Sequence, residues 1–188
     1  MALFNKNDLI NKARSKLGML YETTQTIEKK ASETLFNESK KFSKYQIYDI
    51  FLSHSYSDKT AVLGLKFTLE EKGFSVYVDW IVDKQLDREN VTKENADVLR
   101  SRMANCKSLL YATSENATKS KWMPWELGYF DGLKKGKVAI VPISDSYGKS
   151  GFKGQEYLGL YPYVEVDIID NLSVIYSNLD KRNLKNWI

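Results

Sequence analysis

The sequence predicts an α/β fold with a five-stranded parallel sheet and helices on both of its faces. Short apolar runs alternate along the chain with segments of helical periodicity, and this alternation is typical of parallel sheets with right-handed crossovers. The apolar runs are short and continuous, as expected for strands that are buried on both faces. The 188 residues are 43% hydrophobic and 28% charged, a globular composition that excludes a wholly disordered chain.

Residues 6–35 form the first predicted element, a helix. Apolar and small side chains recur there at spacings of three and four, which places them on one stripe: Ile10, Ala13, Leu17, Leu20, Thr24, Ile27 and Ala31. No proline interrupts this run, although Gly18 weakens a helix by about 1 kcal/mol relative to alanine. Two interpretations stay open: the segment packs on its own domain as a helix or helical hairpin, or it is a self-association arm.

Polar residues 37–44 then form a linker, which predicts an N-terminal helical extension over residues 1–44 and one domain over residues 45–188. The predicted strands of that domain are 48–53, 74–79, 108–112, 138–143 and 161–166. The predicted helices are 61–69, 91–103, 122–133 and a closing helix over 168–188. Glycines 73 and 136 follow two of these helices, where a residue of left-handed conformation is common.

Parallel sheets bind their ligands beyond the carboxyl ends of the strands. This rule points to residues 53–55, 79–80 and 112–114 as candidate site positions. A hydrolytic triad of Ser53, His54 and Asp58 is disfavoured, because these residues lie in one turn without a nucleophile elbow or an oxyanion loop.

Charge and composition exclude several other functions. The net charge of +4 arises from residues 1–44 and leaves the rest of the chain neutral, so we expect no nucleic-acid partner. One cysteine, Cys106, and one histidine, His54, rule out an internal disulfide and the common metal sites, and they fit a reducing compartment. No apolar run approaches the roughly 20 residues that span a bilayer. The N-terminus does not read as a signal peptide, so we expect a cytoplasmic protein without a membrane partner.

The most unusual segment is Trp-Met-Pro-Trp-Glu-Leu, residues 122–127. Pro124 suits a first helical turn, and Trp122 and Glu126 then share one helix face. A carboxylate on this partly exposed face, beside an indole near a strand-end cleft, is partly desolvated and suited to chemistry. The alternative is that the two tryptophans anchor the helix to the sheet and Glu126 stabilises its first turn. The spacing alone leaves both interpretations open.

Three motifs occur in order at regular spacing: Tyr-Asp-Ile-Phe-Leu-Ser-His-Ser (48–55), Gly-Phe-Ser-Val-Tyr-Val-Asp (73–79), and the Trp-x-x-x-Glu segment at 122–126. With them the chain resembles a bacterial Toll/interleukin-1 receptor (TIR) domain over about residues 46–170. The first motif resembles the first box of the family, and the second resembles the second strand, which leads into the BB loop. The third resembles the Trp-x-x-x-Glu segment that the enzymatic members of the family carry. The resemblance implies a flavodoxin-like fold.

Enzymatic members of this family cleave the bond between nicotinamide and ribose in NAD+, and Glu126 matches their essential glutamate. NAD+ is then the substrate, and the resemblance implies neither a metal nor a separate cofactor. Trp122 would stack on the nicotinamide ring of NAD+, and Trp80 or Trp125 would contact its adenine. The other candidate residues line the pocket floor or steer the adjacent loop: Ser53, His54, Ser55 and Asp79. The product is ADP-ribose or a cyclic isomer, a choice that the sequence leaves open.

The resemblance also implies partners. Such enzymes often act when copies stack, which implies self-association through the BB loop from Trp80 to Asn90, aided by the N-terminal helix. Bacterial relatives act in anti-phage defence, including Thoeris-type systems in which the product signals to a downstream effector. Two other functions compete with this hypothesis: a non-catalytic TIR scaffold that acts by homotypic interaction, and a nucleoside-processing transferase of related architecture.

Overall fold

A mainly parallel eight-stranded sheet forms the centre of the structure. The structure is a computed structural model, and it describes residues 3–79, 93–148, 157–167, 170–177 and 179–188. Its strands are β1 (Phe4–Asn5), β2 (Tyr48–Ser53), β3 (Val76–Val78), β4 (Cys106–Thr113), β5 (Val138–Ser144), β6 (Tyr163–Val166), β7 (Leu172–Ile175) and β8 (Lys181–Asn183). The helices are α1 (Lys6–Lys16), α2 (Thr24–Ser39), α3 (Lys59–Glu71), α4 (Lys93–Ala104), α5 (Trp122–Leu133) and α6 (Leu184–Trp187).

The strand order confirms the predicted α/β class. Strands β3, β2, β4, β5 and β6 pair in parallel in that order, and they correspond to the five strands that the apolar runs predict. The sheet continues beyond them, because β7 and β8 add antiparallel to β6 and β1 pairs with the end of β5. The prediction of five strands therefore covers the parallel part of the sheet and misses its extensions.

The predicted closing helix over residues 168–188 is wrong. The region holds β7, β8 and the single helical turn α6 instead. A tight turn precedes β7: the backbone N–H of Asn171 donates to Asp167 at 2.8 Å, and Asp170 takes a left-handed conformation with φ of 63°. Leu172 and Val174 of β7 are buried in the core, an alternation that suits a strand. Tertiary pairing with β6 therefore overrides the weak helical spacing of this segment.

The predicted helix over residues 6–35 is two helices, α1 and α2, which both pack on α3. The break follows α1, where Gly18 has φ of +68°, and Thr23 caps α2 by accepting a hydrogen bond from the N–H of Thr26. Most of the apolar stripe packs inside the chain, because Ala13 and Ala31 are fully buried in a cluster shared with α3, whereas Leu20 at the break is 56% exposed. This contact supports packing on the chain's own fold, whereas self-association through the N-terminal helix stays a prediction, as does the domain boundary at residue 44.

Helices α1 and α3 cross at Gly64 without room for a side chain. A Cβ atom at this position would lie 1.8 Å from the carbonyl oxygen of Leu9. The same helix pair is joined by Glu71, whose carboxylate lies 2.5 Å from Lys12 and 2.7 Å from Lys16. Hydrogen bonds from these two lysines lower the pKa of Glu71 to about 2. Helix α1 is thus tied to α3 by close backbone contact and by charge.

Each face of the sheet carries its own apolar cluster. Ile50 and Leu52 of β2 point to the cluster beneath α1 and α3, and Phe51 points to the cluster beneath α4 and α5. The alternation places Ser53, the last residue of β2, on the α5 side. In the described parts of the chain, none of the helices is long and apolar enough to cross a membrane.

Candidate functional site

Glu126 lies buried against the carboxyl end of the sheet. Helix α5 begins at Trp122, so Trp122 and Glu126 stand one turn apart on the same face, as the spacing predicts. Glu126 is only 6% exposed, and the hydroxyl of Ser53 donates to its Oε2 at 2.5 Å. The expectation of a partly exposed glutamate is therefore wrong. The packing of α5 over the end of β2 covers its side chain.

Tyr111 forms the neighbouring wall of this site. It lies beside Ser53 across the β2–β4 register and is almost fully buried. Burial raises the pKa of the Tyr111 phenol, and its interactions with Tyr157 and the charge of Glu126 raise it further. Its hydroxyl therefore stays protonated next to the carboxylate. No local sequence pattern singles out Tyr111, although the register of the parallel strands pairs it with Ser53.

The two tryptophans of α5 differ in their surroundings. Trp122 is partly exposed and meets Trp125 edge-on, with ring centroids 5.5 Å apart. Trp125 stacks on Tyr129 at 5.5 Å with an interplanar angle of 14°, and the guanidinium of Arg100 lies 5.4 Å from its ring centroid. These contacts favour a packing role for Trp125, whose contact with adenine stays a prediction. Trp80 lies outside the described residues.

His54 and Ser55, which follow β2, face different surroundings. The Nδ1 of His54 lies 3.1 Å from the carbonyl oxygen of Leu52, and the ring is buried. Ser55 lines a cleft together with Trp122, so it shares a surface with the α5 side of the site. Of the predicted pocket-floor residues, the structure brings Ser53 to Glu126 and Ser55 to Trp122. A contact between substrate and His54 stays a prediction.

Asp79 follows β3 and accepts hydrogen bonds from Tyr77 and Arg102. The hydroxyl of Tyr77 donates to its Oδ1 at 2.9 Å, and Arg102 of α4 donates to the same oxygen at 2.5 Å. Burial raises the pKa of Tyr77, and the charge of Asp79 raises it further. Arg102 was missed in the sequence, although a buried carboxylate calls for a cationic partner. The hydrogen bonds from Tyr77 and Arg102 thus fix the position of Asp79 at the end of β3.

Asp58 organises the turn between β2 and α3. Ser114 donates to its Oδ2 at 2.5 Å, Asn116 donates to its Oδ1 at 2.9 Å, and the ammonium of Lys6 lies 3.7 Å from Oδ1. These contacts tie together α1, the β2–α3 turn and the loop before α5. Asp58 is bonded to the β4–α5 loop, and no contact with His54 or Ser53 is seen among the described residues, so a role as the third member of a triad finds no support.

The comparisons with known proteins agree on one protein family. The family model described as TIR domain matches residues 50–167. A Bacillus cereus (strain MSX-D12) protein, named a probable 3' cyclic ADP-D-ribose synthase ThsB', is 52% identical over 172 residues, which cover 91% of this chain and 87% of that protein. A Cytobacillus dafuensis protein, named a candidate cyclic ADP-D-ribose synthase TIR2, is 31% identical over 109 residues, or 57% of this chain and 28% of that protein.

Proposed function

Because the chain belongs to the Toll/interleukin-1 receptor (TIR) domain family, we propose that it is a cyclic ADP-ribose synthase that cleaves NAD+ and signals in anti-phage defence. The names of the two similar bacterial proteins support this activity. The observation that carries the proposal is the position of Glu126, a buried carboxylate held by Ser53 at the carboxyl edge of the sheet. Ligands of such sheets bind at this edge.

One carboxylate is sufficient for this reaction. The bond between nicotinamide and C1' of the ribose breaks with both electrons going to the ring nitrogen, so nicotinamide leaves as a neutral molecule and needs no proton. Ordinary glycosidases need a second carboxyl group to protonate their leaving group. The ribose that remains is an oxocarbenium-like cation, and the anion of Glu126 stabilises it electrostatically in a site with little water.

The ribosyl cation is then captured within the substrate. A hydroxyl of the same molecule attacks C1' and loses its proton, so that NAD+ gives cyclic ADP-ribose, nicotinamide and one proton. Capture by water would give ADP-ribose instead. Trp122 offers its partly exposed indole one helical turn from Glu126, where the nicotinamide ring can stack. Ser53 acts as a positioning residue, because its hydroxyl fixes one oxygen of the Glu126 carboxylate.

Ser53→Ala should lower kcat for nicotinamide release by about tenfold and leave KM for NAD+ nearly unchanged, because an orienting hydrogen bond of about 1 kcal/mol or more is lost. Ser53→Thr retains the hydroxyl and should recover most of the wild-type kcat. Steady-state kinetics on the three proteins provide the measurement. Equal losses in the Ala and Thr variants, or a change confined to KM, would contradict the positioning role.

The proposal includes self-association of the chain, without a defined contact surface. TIR domains assemble with one another, and the segment from residue 80 to 90, on which the resemblance places the contact, lies outside the described residues. Sedimentation of the full chain with and without NAD+ tests whether assembly accompanies turnover. Assembly through this segment and a downstream effector that responds to the product both stay predictions.

The experiment that tests the proposed function is incubation of the purified chain with NAD+, followed by chromatography. We expect nicotinamide and a cyclic ADP-ribose to accumulate in equal amounts. A non-catalytic TIR scaffold would leave NAD+ intact at every protein concentration, including concentrations at which the protein self-associates. A nucleoside-processing transferase would release nicotinamide only when an acceptor is added.

A further inference from the structure

A cleft of about 220 Å³ opens at the start of α5. The turn after β2, residues 55–57, forms one wall, and residues 119–122 form the other. Trp122 therefore belongs both to this cleft and to the helix face that carries Glu126. On the other wall, Ser55 lies two residues beyond Ser53, whose hydroxyl bonds the Glu126 carboxylate. The cleft thus borders the helix face that carries Glu126, one helical turn before it.

The lining of this cleft is cationic. Lys119 and Lys121 both contribute to it, and none of its lining residues is a carboxylate. Within the described ranges neither lysine lies within ion-pair distance of an acidic group, whereas Lys66 and Lys107 each meet a carboxylate. Serine hydroxyls lie on both walls, where they can donate hydrogen bonds. Two ammonium groups with several hydroxyl donors suit an anion that carries many acceptor oxygens.

The proposed reaction supplies such an anion at a fixed place. If Glu126 faces C1' of the nicotinamide ribose, the 5' carbon of the same ribose carries the diphosphate only a few bonds away. We propose that the cleft between residues 55–57 and 119–122 binds the diphosphate of NAD+, with Lys119 and Lys121 as its charge partners. This inference rests on the proposed function and extends it to the recognition of the substrate.

The chemistry assigns the two lysines to binding rather than to the chemical step. The diphosphate keeps the same charge in NAD+, in the transition state and in the product, so contacts to it stabilise all of them alike. Uniform binding of this kind lowers KM and leaves kcat unchanged. Because the lysines are exposed at the mouth of the cleft, their attraction to the diphosphate is screened by salt.

The test compares the full-length wild type with the double variant Lys119→Gln/Lys121→Gln. We expect the double variant to raise KM for NAD+ by about tenfold at low salt with kcat within about twofold, as expected for lost uniform binding. The KM of the wild type should rise with ionic strength, and the KM of the double variant should rise far less. Lys29→Gln/Lys135→Gln removes the same charge from exposed positions elsewhere and should behave as wild type.

The outcomes separate this inference from the proposed function. A double variant with the KM and the salt dependence of the wild type would overturn the diphosphate site while leaving the NAD+ reaction in place. A loss confined to kcat would also overturn it, because it would assign the lysines to the chemical step. If the wild type released no nicotinamide at all, the proposed function would fail and the diphosphate site would fail with it.

Discussion

Glu126→Gln should lower kcat for nicotinamide release by at least about 10²–10³-fold, the range seen when a preorganised group that stabilises transition-state charge is removed. The amide has nearly the shape of the carboxylate and can still accept the hydrogen bond of Ser53, so the fold is retained. It lacks the negative charge that opposes the developing ribosyl cation. KM for NAD+ should change little, since the charge acts mainly in the transition state.

The choice of glutamine over alanine follows from the burial of the site. Glu126→Ala would leave the buried hydroxyl of Ser53 without its acceptor, which costs about 1–3 kcal/mol. Glu115→Gln provides the matched control, because Glu115 is exposed in the loop before α5. We expect wild-type kinetics from the control. Nicotinamide release that persists in Glu126→Gln at near wild-type rate would contradict the assignment of the catalytic carboxylate.

Gly64→Ala should destabilise the protein by about 3 kcal/mol or more, at or beyond the upper end of the usual cost of overpacking. The new Cβ would lie 1.8 Å from the carbonyl oxygen of Leu9 and 2.6 Å from the carbonyl carbon, so the backbone of α1 has to move. For a chain of this length the loss corresponds to a fall in Tm of roughly 6–12 °C. Thermal unfolding followed by circular dichroism provides the measurement.

Gly132→Ala is the control for this substitution. Gly132 lies in α5, and a Cβ atom there meets nothing within 4 Å. Alanine is the better helix former, so this variant should gain about 0.5–1 kcal/mol. If Gly64→Ala were as stable as Gly132→Ala, the close packing of α1 on α3 would be disproved. Helix α1 would then not be tied to the fold in the way that the structure shows.

The central strands could be predicted from sequence because burial on both faces leaves a local signature. The run from Tyr48 to Ser53 is apolar enough to be found without any tertiary information, and the structure confirms it as β2. β1 has two residues, and it is a strand only because the end of β5 lies beside it. The segment that forms β7 has apolar residues compatible with either a helix or a strand, so pairing with β6 decides its conformation.

The candidate site was predictable in part for the same reason. The spacing of Trp122 and Glu126 gives their shared helix face directly. The hydrogen bond from Ser53 to Glu126 joins residues 73 positions apart, and the hydrogen bond from Arg102 to Asp79 joins α4 to the residue that follows β3. Such contacts depend on how α4 and α5 pack on the sheet. No local pattern encodes them.

The most direct test of the central claim is to measure, side by side, the products that wild type and Glu126→Gln form from NAD+. A buried anion that opposes a ribosyl cation should give one nicotinamide for each cyclic ADP-ribose in the wild type. The variant should form at most about a hundredth as much of either product in the same time, with both proteins equally folded. Equal product formation by the two proteins, or untouched NAD+ with both, would contradict it.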